Sequence, residues 1–131
     1  MTETSSGPDA PSGSIHAAIS NMVVRLVSEY TGRGPTKART HITRDLISVV
    51  LSDTLTKGER SLIRDGEALR VLDMRKAFQR TMRTDLVAGV EAITGRTVIA
   101  FLSDNHVDPD YAVESFILAP TDPAPQETAA A

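Results

Sequence analysis

The chain has 131 residues, 40% of them hydrophobic and 24% charged, with a net charge of −3: enough length for one hydrophobic core, ordinary globular composition, and no cationic excess of the kind that sequence-blind nucleic-acid binding requires. It contains no cysteine, which excludes disulfides, cysteine-ligated zinc and thiol nucleophiles. The N-terminus lacks a basic and apolar leader, and the longest apolar runs, such as Val98 to Leu102, fall far short of the roughly 20 residues of a membrane span, so a cytoplasmic chain without membrane insertion is expected.

Residues 1–13 are rich in Ser, Gly, Pro, Thr and Asp, and residues 119–131 are rich in Pro and Ala. Both are expected to be disordered tails, because neither holds enough apolar mass to offset its ordering entropy. A single α+β domain over 14–118 is expected between them. Ser14 reads as an N-cap, and Ile15, Ile19, Met22, Val23, Leu26, Val27 and Tyr30 recur at the spacing of an amphipathic helix that Gly32 ends.

A hairpin follows, with strands near 36–43 and 46–53 joined by Arg44-Asp45. Pairing Thr43 with Leu46 puts Ala38, Thr40 and Ile42 on one face with Ile47, Val49 and Leu51, and leaves Lys37, Arg39 and His41 opposite with Ser48 and Ser52. A slip of one residue would mix the two faces. Thr56-Lys57-Gly58-Glu59 has the spacing of a capping box and starts a short helix over 57–65. Gly66 breaks it, and a longer helix over 67–94 is predicted to bury Leu69, Leu72, Phe78, Met82, Leu86, Val90 and Ile93 before Gly95 closes it.

The second hairpin pairs 96–104 with 111–118 across Asn105 to Asp110. Both of its faces look apolar, the pattern of strands in mid-sheet that are covered on both sides. Helices cover one face, so a second subunit is expected on the other, which makes the protein a homodimer. The order is αββααββ, two antiparallel hairpins forming one sheet packed against helices.

Two segments are candidate sites. Arg33, Lys37, Arg39 and His41 follow Gly32 and Gly34, whose amides could form an anion-binding concavity for a phosphate, nucleotide or carboxylate. A solvated basic strand face accounts for the same residues. The segment is not a P-loop, because the Gly-x-x-x-x-Gly-Lys-Ser/Thr spacing is missing and a strand follows it. Asp104, Asn105, His106, Asp108 and Asp110 form the densest cluster of oxygen and imidazole groups. A calcium loop fails there, since Pro109 and Ser115 occupy the positions that need Gly and Glu, whereas Asn, Asp and Pro are also what a tight hairpin loop uses.

No metal set, cofactor motif or catalytic constellation emerges from the spacing, and with 4% aromatic residues stacking platforms for single-stranded nucleic acid are few. A nucleic-acid partner is therefore disfavoured, though a small anionic-ligand or nucleic-acid binding module built on the basic Gly32-to-His41 segment is the alternative function.

Three strings carry a family resemblance: Glu29 to Arg39 (EYTGRGPTKAR), Leu51 to Arg60 (LSDTLTKGER), and Thr94-Gly95-Arg96 through Leu102 to Asp110 (LSDNHVDPD). Through them residues 14–118 resemble the MpsC-like domain, a family of small bacterial proteins named for a component of a sodium-translocating, membrane-potential-generating system. The resemblance implies a non-catalytic accessory or regulatory domain in the cytoplasm, peripheral to the inner face of the membrane, with a membrane ion-transport component as docking partner. It supplies no catalytic residues to carry over.

Overall fold

The computed structural model describes residues 11–33 and 37–121. The expected tails up to residue 10 and from residue 122, together with Gly34, Pro35 and Thr36, lie outside them. The elements run α1 (Pro11–Thr31), β1 (Lys37–Thr43), β2 (Leu46–Ser52), α2 (Lys57–Arg64), α3 (Ala68–Thr94), β3 (Val98–Val107) and β4 (Asp110–Leu118). This is the αββααββ order, with one four-stranded antiparallel sheet in the order β1-β2-β4-β3.

The first hairpin has the register that its polarity demands, Thr43 opposite Leu46 and Ala38 opposite Leu51. Arg44 takes a left-handed conformation in its turn (φ 53°). α1 begins at Pro11, so Ser14 is an interior helical position and not the N-cap. Gly32 and Gly95 end α1 and α3 in the left-handed region that side chains resist (φ 80° and 71°). Thr56 and Glu59 close the capping box on α2 reciprocally: Glu59 N donates to Thr56 Oγ1 (3.1 Å) and Thr56 N to Glu59 Oε1 (2.8 Å).

α1 and α3 pack on one face of the sheet. Ile19, Val23, Ile47, Leu51, Leu86 and Phe116 are buried in the core between them, each such side chain contributing about 1.5–3 kcal/mol of transfer free energy. The helices approach closely at Gly89, where a Cβ would meet Met22 Sδ at 2.6 Å.

Two sequence expectations give way here. Met82, Leu86 and Val90 are buried as expected, but Leu69 is 78% exposed, and in the first half of α3 the buried stripe runs through Val71 and Gln79, with Arg75 in phase between them. Two polar residues in that phase disguised it. β3 is an edge strand and not a mid-sheet one, because β4 pairs with both β2 and β3. The register shifts between Val98 and Ala100, and this bulge changes which side chains share a face. Val98 and Phe101 both lie against the core with Phe116 and Leu118, while Ile99 and Leu102 are exposed, so the hairpin is apolar on both faces as its sequence suggests, but only β4 is central and β3 is not.

Candidate functional site

The structure separates two polar regions. One is a network on the helix side of the sheet; the other is the sheet face that no helix covers.

The network begins at the α2 cap. Arg75, from the middle of α3, donates Nε to Glu59 Oε2 (3.0 Å) and Nη2 to Glu59 Oε1 (2.7 Å), and both side chains are nearly buried. Of its remaining donors, Nη1 goes to Thr54 Oγ1 (2.8 Å) and Asn105 Oδ1 (3.5 Å) and Nη2 to the Thr54 carbonyl (2.8 Å). Thr54 Oγ1 in turn donates to Asp110 Oδ1 (2.7 Å), and Leu55 N donates to Asp110 Oδ2 (2.9 Å). Arg60 joins Asp53 (2.7 Å) and Asp110 (3.5 Å), and Arg33 reaches Asp53 from the end of α1 (3.1 Å). A fork that a planar guanidinium fits, with every donor in use, fixes the connection from β2 to α2 against α3 and β4.

Burial pushes the Glu59 carboxyl up, but the Arg75 hydrogen bonds, the Thr56 amide and the Arg75 charge together outweigh it and hold Glu59 below its ordinary value. Deeper in, Gln79 Nε2 donates to Asn105 Oδ1 (3.3 Å) and Glu114 Oε2 (3.4 Å), and Asn105 Nδ2 donates back to Gln79 Oε1 (3.1 Å). Glu114 is only 2% exposed. Its Oε1 has no hydrogen-bond partner, and neither does the hydroxyl of Ser103 directly across from it on β3. Burial pushes the Glu114 carboxyl up to about 7, against weaker opposing pulls from the Gln79 hydrogen bond and the Arg75 charge. Glu114, Arg75, Gln79, Asn105 and Thr54 line a cavity of about 30 Å³, room for one or two waters.

The residues of the second candidate cluster do not converge. Strand alternation sends Asp104 and His106 to the open face and Asn105 to the helix side, where it meets Gln79. Asp108 sits in the turn before a cis Pro109, His106 Nδ1 lies 2.8 Å from the Pro109 carbonyl, and Asp110 caps the network already described. The segment is strand and tight turn rather than a loop over 105–110. Among the described residues no group of three or more His, Asp or Glu side chains could hold a metal ion.

Of the basic candidates, Lys37, Arg39 and His41 share the open side of edge strand β1, where all three are exposed. Lys37, Arg39, Val50 and Ser52 line a shallow depression of about 470 Å³. Arg33 is elsewhere, bound to Asp53. Gly32 N donates to the Ser28 carbonyl (2.9 Å) and ends α1, and Arg33 N is turned toward Thr31 Oγ1 (3.4 Å); the Gly34 amide lies outside the described residues.

The open face carries four cross-strand rows. They are Lys37-Ser52-Tyr111-His106, Arg39-Val50-Val113-Asp104, His41-Ser48-Ser115-Leu102 and Thr43-Leu46-Ile117-Ala100. The two central serines bond to each other (Oγ to Oγ, 3.0 Å). Leu102 is 57% and Tyr111 44% exposed, so the face is apolar across its middle, cationic along β1 and acidic at Asp104.

Sequence reasoning missed Arg75, Gln79 and Glu114 as partners. Their signal was available: Arg75 and Gln79 sit in the apolar phase of α3, and Glu114 sits between Ala112 and Phe116 in the inward phase of β4. A charged group in a buried phase implies a buried partner.

The three strings that carried the resemblance meet in this network, Arg33 from the first, Asp53 to Arg60 from the second, Asn105 and Asp110 from the third. Comparison with the curated proteins and with the solved structures finds no match. A family model described as "Na+-translocating membrane potential-generating system (MpsC)" matches residues 12–120. No helix among the described residues is long and apolar enough to cross a membrane. By the family match, the chain belongs to the MpsC family.

Proposed function

We propose that this chain is a non-catalytic accessory or regulatory domain of a Na+-translocating, membrane-potential-generating system, held in the cytoplasm at the inner face of the membrane and acting through protein contacts. The family match supports the system, and the open sheet face supports the mode of action. The family strings are occupied in building the fold, and the face left over is a broad, mostly apolar surface with charged margins, which suits a macromolecular partner better than a small substrate. The test is physiological. In cells deleted for this chain, the sodium-dependent part of the membrane potential, read with a voltage-sensitive dye, falls and is restored by the intact chain. An unaltered potential in the deletion strain overturns the reading.

A second reading rests on the depression beside Lys37 and Arg39. Those cations, with His41 on the same strand face, suit a small phosphate- or carboxylate-bearing ligand. A nucleotide or phosphate that raises the melting temperature of the intact chain, and fails to do so with Lys37→Ala and Arg39→Ala combined, supports it. The absence of any shift removes it.

A further inference from the structure

The open face is also self-complementary. We infer that a second copy of this chain covers it, about a two-fold axis lying between β2 and β4 and parallel to the strands, so that Arg39 of each copy stands over Asp104 of the other.

The inference rests on the observed register and sheet order. Two sheets pack face to face about 10 Å apart with their strands nearly aligned. A two-fold axis in the interface plane and parallel to the strands exchanges left and right but keeps position along the strand. It therefore lays β1 of one copy over β3 of the other, row upon row. Arg39 and Asp104 occupy the two ends of the same row, so the operation brings opposite charges together twice. Neither residue has an ion-pair partner within the described residues; Asp104 accepts only the amide of Asn105 (2.9 Å).

The other face-to-face two-fold axis, perpendicular to the strands, stacks β1 on β1. It would gather Lys37, Arg39 and His41 of both copies along one margin and both Asp104 carboxylates along the other, which like-charge repulsion opposes.

The middle of the face suits closure. Val50 and Val113 share the row of Arg39 and Asp104, and Leu46 and Ile117 lie four residues further along the strands. The Ser48 and Ser115 hydroxyls at the centre share one hydrogen bond, so a single O–H of the pair is left to find an acceptor when water leaves. Four strands about 4.8 Å apart and seven residues of about 3.3 Å span roughly 440 Å² of plane per copy. Doubled, this is about 880 Å², below stable specific interfaces and in the range of weak, transient ones, so a weak dimer is expected. The proposal goes beyond the functional reading above and narrows its mode of action: the protein contact made by the open face is with a second copy, and the link to the ion-transport system does not depend on it.

Analytical ultracentrifugation of the full chain tests it, from about 1 to 300 μM. We expect a concentration-dependent dimer. Leu102→Asp, on a side chain already exposed, abolishes it while the circular dichroism and melting temperature stay near wild type. Arg39→Glu and Asp104→Arg each weaken it about tenfold, because each creates two like-charge contacts. The double variant Arg39→Glu/Asp104→Arg recovers wild-type affinity to within about threefold. A chain that stays monomeric throughout overturns the proposal and leaves the face to a different protein. So does a dimer indifferent to Leu102→Asp, or single variants that the double variant does not rescue. None of these results bears on the membrane potential of the deletion strain, so the two proposals fail separately.

Discussion

Arg75 grips the carboxylate of Glu59 at two points, 3.0 and 2.7 Å, and the pair is nearly closed off from water between α2 and α3. Thr54 and Asn105 take the remaining guanidinium donors, so the fork is fixed in place. Arg75→Ala leaves the Glu59 charge buried and is expected to cost about 3–5 kcal/mol in urea denaturation. Arg75→Lys recovers little of that, since an ammonium cannot form the fork. If the lysine variant is as stable as wild type, the fork does not hold α2 in place.

Glu114 predicts the pH dependence. Its carboxyl titrates near 7 in the folded chain and at about 4.5 when free. Between those values the folded chain holds a proton that the unfolded chain has lost, so stability falls as pH rises from about 4.5 to 7 and levels off above. The contribution is about 3 kcal/mol. Glu114→Gln keeps the shape and removes the charge. It is expected to raise stability at pH 8, to change little at pH 4.5, and to flatten the slope between. Glu59, held below its ordinary value, works in the opposite direction, and its contribution is lost as pH falls through the acid range. Chemical denaturation at half-unit pH intervals checks both.

Asp110 ties Thr54 and the Leu55 amide to the start of β4. Asp110→Ala removes both acceptors and is expected to cost about 1–3 kcal/mol. Hydrogen exchange localises the effect: the Leu55 amide loses protection, while amides of the β2/β4 ladder change only through global stability. Equal protection of Leu55 in both proteins would refute the assignment.

Gly89 sets how closely α1 approaches α3, because an added Cβ would meet Met22 at Sδ (2.6 Å) and Cγ (2.9 Å). Alanine raises helix propensity by about 1 kcal/mol, so Gly89→Ala destabilises only if this clash outweighs the gain. A net loss of about 1–2 kcal/mol is expected from the overpacking. In a Met22→Ala background the same substitution becomes neutral or favourable, and additive energies in the double-mutant cycle would show that the contact is not limiting.

Much of the architecture was legible in local chemistry. The register of the first hairpin follows from its two-faced polarity, because a pleat offers only two phases and one of them scrambles the core. The α2 capping box and the glycine stops of α1 and α3 are equally local: each satisfies backbone groups within a few residues of itself. The helix start was not legible, since α1 begins at Pro11 ahead of Ser14.

Position across the sheet was decided by tertiary structure. β3 carries apolar side chains on both faces, Val98 and Phe101 inward and Leu102 outward, yet lies at the edge of the sheet, and nothing local marks which strand of the hairpin meets β2. Likewise Asp104, Asn105 and Asp110 are close in sequence yet end on the open face, against Gln79 and beneath Thr54. A strand turns alternate side chains to opposite faces, and which groups meet depends on helices packed there from distant parts of the chain. Composition and periodicity alone determined an α+β fold of two hairpins and three helices. Folding decided that Arg75 and Glu59 would meet in the interior, and that Arg39 and Asp104 would stand at opposite ends of one uncovered row. The physical reason is that burial and charge pairing are properties of neighbours in space.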